Sequence, residues 1–188
     1  MKTISSTAAI TVGVASIAVF LGYMFFVSNY ERVAIVGEMI GADVKKLAFI
    51  FERIHQTCVI SSFDYQKNPI NFLNVGNFIS SEIGPMNLVH PDKWEGPYIE
   101  DNLNVQSIEY QVVKTKFGYF ITPGEGVELP NGKIIGKDII LNEDADILKM
   151  MGSENYLRYG NMPLAAPISL QREVGGQTRA LLQAEDAW

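Results

Sequence analysis

The chain has 188 residues, 15 Lys+Arg against 21 Asp+Glu, and a formal net charge of −6. With no basic cluster beyond Lys45-Lys46, that balance argues against a nucleic-acid partner, whose phosphates demand clustered cations. A single cysteine, Cys58, excludes an intrachain disulfide and is expected to act as a small buried hydrophobe.

Thr3 to Tyr30 carries no charged side chain and is rich in Ala, Val, Ile, Phe and Gly. A helix crossing a hydrocarbon core of roughly 30 Å needs about 20 apolar residues, and Ile4 to Val27 meets that length. Residues 1–30 therefore read as a transmembrane anchor. The competing reading is a cleaved secretory signal, since Lys2 opens the run. Such a signal has an apolar core of roughly 7–15 residues before a small-x-small site. Here the run is longer, and Tyr23, Met24, Phe25 and Phe26 stand where cleavage would fall. Lys2, set against the near-neutral flank of Glu31, Arg32, Glu38, Asp43, Lys45 and Lys46, places the N-terminus in the cytoplasm by the positive-inside rule. Thr7, Thr11 and Ala15 put small side chains on one helix face inside the bilayer, where other transmembrane subunits or lipid would lie.

The roughly 160 residues that follow suffice for one domain. Residues 31–60 read as an amphipathic stalk. Val33, Val36, Ile40, Val44, Leu47, Phe51, Ile54 and Cys58 recur at three- and four-residue spacings, with charged residues between them. No proline interrupts residues 3 to 68, so anchor and stalk form one helix from about Ile4 to Ile60, roughly 85 Å long. The apolar stripe packs either on the chain's own C-terminal domain or on neighbouring copies. Gly37 and Gly41, a G-x-x-x-G pair, mark a further point of close helix approach.

Residues 61–188 form the remaining domain. Ser61 to Asn102 reads as irregular, broken by Asn68-Pro69, Gly84-Pro85, His90-Pro91 and Gly96-Pro97, with a short helix placed at Phe72 to Ser81. Ser107 to Val113 and Gly118 to Thr122 make a hairpin reversing at Lys114 to Phe117. Two more short strands are expected at Gly126 to Leu129 and Lys133 to Ile140, around the turn Pro130-Asn131-Gly132. Asp144 to Tyr156 reads as a helix, Met162 to Pro167 as an extended connection, and Thr178 to Trp188 as a docking terminal segment. The fold class is α+β, a long helix packed on a small antiparallel sheet of three or four strands.

This plan resembles the type IV pilin-like proteins, the pseudopilins of type II secretion most of all. Trp94-Glu95-Gly96-Pro97-Tyr98-Ile99 looks like the W-x-G-P-Y segment between stalk and sheet in those proteins, and Gly118-Tyr119-Phe120-Ile121 is similar to their later sheet region. In physical terms Gly-Pro makes a turn, and Trp94 and Tyr98 can cap the stalk's stripe. The resemblance implies a single-pass protein of the bacterial inner membrane, with a periplasmic C-terminal domain, that works as a subunit of an oligomer or hetero-complex. The chain departs from the family at its start. It has no glycine followed by Phe-Thr-Leu-Ile-Glu, and Thr3 to Tyr30 holds no carboxylate, so the intramembrane acid of pilins has no counterpart here.

Catalytic chemistry finds no template. His55 and His90 belong to no zinc-spaced cluster, and the G-x-S-x-G, G-x-x-x-x-G-K-[ST], G-x-G-x-x-G and C-x-x-C-H patterns are missing from the sequence. The one cation candidate is Asn142, Asp144 and Asp146, whose alternating oxygens suit Ca²⁺, although Ile147 and Ser153 replace the glycine and glutamate of an EF-hand. An N-cap role explains the same acids. No other cofactor is expected. The sequence thus points to a non-enzymatic assembly subunit, with an interface built from Thr7, Thr11, Ala15, Gly37, Gly41, Trp94, Tyr98 and Trp188. It is read as a pilin-like component of a secretion or fibre machine, or alternatively as an accessory subunit of a respiratory or photosynthetic complex. A membrane-tethered enzyme or receptor using Trp94, Tyr98, Tyr110 and Tyr119 is the reading from a different class.

Overall fold

One long helix carries the whole chain. The computed structural model describes residues 6–78 and 80–170, and within the first helix the side chains of 6–16, 18 and 28–31 lie outside that description. Helix α1 (Ser6–Cys58) runs 53 residues without a break, about 80 Å at 1.5 Å per residue. It stops where Val59 takes a φ of 56°, a left-handed conformation that β-branched residues resist. The exit is nonetheless well bonded. The Ile60 amide donates to Nδ1 of His55 at 3.2 Å, and the Cys58 carbonyl accepts from the His90 amide at 2.8 Å.

The elements that follow are β1 (Ile60–Phe63), β2 (Lys67–Pro69), β3 (Glu82–Ile83), β4 (Met86–Leu88), β5 (Asn104–Val105), β6 (Ile108–Thr115), β7 (Gly118–Pro123), α2 (Ile147–Met151), β8 (Arg158–Tyr159), β9 (Met162–Pro163) and β10 (Ala166–Ile168). All named strand pairs are antiparallel, so the class is α+β. The larger sheet has the order β10-β7-β6-β2, with β5 also on β6, and a smaller one has the order β1-β4-β3.

The hairpin of β6 and β7 lies close to its expected place. Its turn is tighter than the sequence suggests, because Thr115 pairs Gly118 and leaves only Lys116 and Phe117 to reverse. The Thr115 hydroxyl holds that turn, accepting from the Phe117 amide at 3.1 Å and donating to the Gly118 carbonyl at 3.2 Å.

Five expectations are corrected. Residues 61–102 contain four strands rather than irregular chain, each too short to show a period of two. Residues 72–78 are not helical; Asn102 ties the start of the segment instead, its Oδ1 accepting from the Leu73 amide at 3.1 Å and its Nδ2 donating to the Asn71 carbonyl at 2.7 Å. Residues 126–140 make two isolated bridges, Glu128 to Ile134 antiparallel and Ile135 to Ile139 parallel, instead of two strands, with Gly132 at φ 76° in the turn. The helix placed at 144–156 shrinks to Ile147–Met151, capped by Asp146, whose side chain accepts from the Lys149 amide at 3.0 Å. Met162 to Pro167, read as a connection, supplies β9 and the start of β10, with Ala166 opposite Ile121.

The stalk's stripe is covered by the chain itself. Ile40, Val44, Leu47, Phe51, Ile54 and Cys58 are fully buried in one apolar core shared with both sheets, and Ile50, between the stripe positions, joins them. Burial begins only at Val36. Val33, expected in the stripe, remains 38% exposed at the edge of the domain, beside Leu129 and Pro130.

A hydrogen bond inside this core ties helix to sheet. Tyr110 of β6 is fully buried, and its hydroxyl donates to Oδ2 of Asp43 at 2.8 Å. Burial first, and the Asp43 bond second, push the phenol's pKa well above its ordinary range. The sign follows from where each state loses its proton. Below the ordinary value of about 10 both states are protonated and the contribution is complete; above it the unfolded chain ionises while the folded one does not, so stability falls as pH rises. Tyr110→Phe should cost about 1–2 kcal/mol at neutral pH and flatten this alkaline decline. Urea titrations of both proteins between pH 7 and 11 measure it, and parallel curves would refute the assignment.

Candidate functional site

Above the domain, α1 changes character. Ile17, Val19, Phe20, Leu21, Tyr23, Met24, Phe25 and Phe26 are each 52–74% exposed. Consecutive residues on a helix with 3.6 per turn point in all directions, so this segment is apolar all round and, among the described residues, packs on no part of the domain. Single exposed apolar residues need no explanation, but a continuous sleeve of them marks a surface for interaction. Among the described residues no helix is long and apolar enough to cross a membrane, and the run Thr3–Tyr30 lies partly outside them. The side chains of Thr7, Thr11 and Ala15 fall in the part outside the description, as does Trp188.

Gly37 and Gly41 serve a close approach, and what approaches is the chain's own β8–β9 hairpin. A Cβ at Gly37 would collide with the Tyr159 ring, and one at Gly41 would stand 3.3 Å from Sδ of Met162. Gly37→Val should therefore destabilise the domain by about 1–3 kcal/mol through overpacking. Adding Tyr159→Ala should shrink the penalty of the valine to a few tenths, a coupling that a double-mutant cycle reads directly. An undiminished penalty would mean that Gly37 faces something other than Tyr159.

Trp94 and Tyr98 sit together beside the last turns of the stalk. The indole stands edge-on to Tyr98, with centroids 4.8 Å apart, and to Phe78 at 5.2 Å. Its Nε1 donates to the Val75 carbonyl at 3.0 Å. Arg53 reaches from α1 to Glu95 at 2.8 Å and lies over the Tyr98 ring at 5.7 Å. Both aromatics are half-buried against the core, so the segment fastens the loop to the helix end. Tyr110 and Tyr119 are separated from it, the first buried in the core and the second against Phe63.

The three candidate cation ligands each have local work. Oδ1 of Asn142 accepts from the Asp144 amide at 3.1 Å, Asp144 pairs with Lys116 at 3.2 Å, and Asp146 caps α2. Asp138 accepts from the Ile134 amide at 2.9 Å. Among the described residues no group of three or more His, Cys, Asp or Glu could hold a metal ion.

Two features escape sequence reading. The Asp43–Tyr110 bond joins residues 67 positions apart, and no local pattern announces it. A recess beside the stalk, at the edge of the domain, brings together Arg32 and Glu128, which lie 96 positions apart in the sequence. No family model, curated protein or solved structure matches the chain.

Proposed function

We propose that the protein is a non-enzymatic, single-pass membrane protein that acts as an assembly subunit, in the manner of a pilin or pseudopilin of a secretion or fibre machine. The observation that carries this reading is the division of one continuous helix into two halves with different surroundings. From Val36 to Cys58 the apolar stripe is covered by the chain's own sheets, whereas from Ile17 to Phe26 the described apolar side chains are exposed and no other described element packs on them. The uncharged run Thr3–Tyr30 extends that second half to membrane-spanning length. A helix whose distal half is locked into an antiparallel sheet and whose proximal half is left for lipid and neighbouring helices is the plan that the W-x-G-P-Y resemblance implies. On that reading the N-terminus is cytoplasmic and the sheet domain periplasmic.

A second reading keeps the same anchor and makes the chain an accessory subunit of a respiratory or photosynthetic complex. The specific feature in its favour is the lack of any carboxylate in Thr3–Tyr30, since pilin-type assembly relies on one there. Copy number separates the two. Cross-linking in native membranes followed by mass spectrometry should give a ladder of homo-oligomers for a filament subunit. One or two copies bound to redox or pigment proteins would overturn the filament reading and leave the accessory one.

A further inference from the structure

We infer that the edge of the domain nearest the apolar half of α1 carries a binding site for the headgroup of a zwitterionic aminophospholipid, with the lipid phosphate on Arg32 and its ammonium on Glu128. The recess measures about 180 Å³, and its walls are Val33 and Val36 of α1 with Leu129 and Pro130 of the facing loop. Its two charged residues are of opposite sign, and neither takes part in the ion pairs among the described residues. A cation and a carboxylate left apart over an apolar floor complement a ligand that carries both charges and an apolar tail.

Depth supplies the identity of the occupant. The site lies where lipid headgroups would be if α1 is anchored as proposed. Arg32 stands two residues past Tyr30, the end of the uncharged run, which is about 3 Å along a helix, and Val36 about 9 Å. The headgroup layer on each side of the hydrocarbon is about 5–8 Å thick. The recess therefore opens at the level of phosphates and amines.

The domain holds the acidic half of the site by a strained device. Gln106 and Ser107, the two-residue turn between β5 and β6, have φ of 54° and 64°. Such a turn normally recruits Asn-Gly, and two non-glycine residues there cost stability. In return the Gln106 side chain grips the Glu128 backbone at both ends: its Nε2 donates to the Glu128 carbonyl at 2.8 Å, and its Oε1 accepts from the Glu128 amide at 3.0 Å. This holds the Glu128 backbone at the rim of the recess and leaves its exposed carboxylate to meet the ligand.

The test titrates delipidated full-length protein in detergent with phosphatidylethanolamine, phosphatidylcholine or phosphatidylglycerol, reading bound lipid by native mass spectrometry. Phosphatidylethanolamine should be held roughly tenfold more tightly than phosphatidylcholine, whose quaternary ammonium cannot donate to Glu128. Arg32→Ala should weaken all three lipids, while Glu128→Gln should bring phosphatidylethanolamine level with phosphatidylglycerol. Both residues are exposed, so neither change threatens folding. Equal binding of the three lipids by a chain that still partitions into vesicles would overturn the headgroup site alone. A chain that stays out of phosphatidylethanolamine–phosphatidylglycerol vesicles would overturn both the site and the anchor. Soluble phosphoethanolamine bound as well as the lipid would likewise overturn it, because the ligand would then need no membrane.

Discussion

Phe51→Ala should lower domain stability by about 3–5 kcal/mol, the largest effect of any single truncation of the stalk. Phe51 is 0% exposed, and its ring meets Phe63 at 6.0 Å and Phe72 at 6.3 Å between centroids. It is thus the point where the helix joins β1 and the loop that Asn102 fastens. Deleting the ring removes its transfer free energy, opens a cavity that three elements cannot close together, and forfeits two aromatic pairings. For a domain of this size the loss corresponds to a fall in Tm of roughly 10–25 °C. Phe49, two residues earlier on the same helix, is 69% exposed, and Phe49→Ala should stay within about 0.5 kcal/mol. Thermal unfolding followed by near-ultraviolet circular dichroism compares the two variants. Equal shifts would mean that the stalk does not seat on the sheets through the Phe51 face.

That contrast shows what the sequence makes legible. A stripe sustained from Val36 to Cys58 states which helix face is buried, because burial of a long helix imposes a period that accumulates over many turns. It does not state by what. Packing on the chain's own sheet and packing on a neighbour require the same residues, and only the observed core decides. Gly37 and Gly41 behave likewise: small residues four apart announce close approach, yet the partner is a β-hairpin more than a hundred residues downstream. The β6–β7 hairpin is legible since both strands and the turn are local. Strands β3 and β4 are not, with two and three residues each, and their pairing comes from tertiary context. The Arg32–Glu128 recess is legible in neither half of the chain, since each charge alone is an ordinary surface residue.

The same helix should respond in the opposite way to a change in its proximal half. Phe20 is 62% exposed and packs on no described part of the domain, so Phe20→Arg should leave the unfolding temperature of the sheet domain unchanged. Its cost falls on the environment of the helix instead. Near the centre of a spanning segment an arginine disfavours insertion by about 2.5–3.5 kcal/mol, and the lost phenylalanine adds a few tenths. If Thr3–Tyr30 is the anchor proposed above, an apolar run of that length holds a surplus of insertion energy, so the single variant should partly leave the membrane, and Phe20→Arg with Val19→Arg should leave it almost completely. Alkaline carbonate extraction of cell membranes, with the domain probed by limited proteolysis, reads both quantities at once. Were the proximal helix in water, the same arginines would raise solubility and change neither fractionation nor fold. Retention of the double variant in the membrane pellet would therefore show that something other than lipid, such as a partner helix with a matching acid, holds this segment. Loss of the domain's protease resistance in the single variant would show that the two halves of α1 are not the independent units their burial describes.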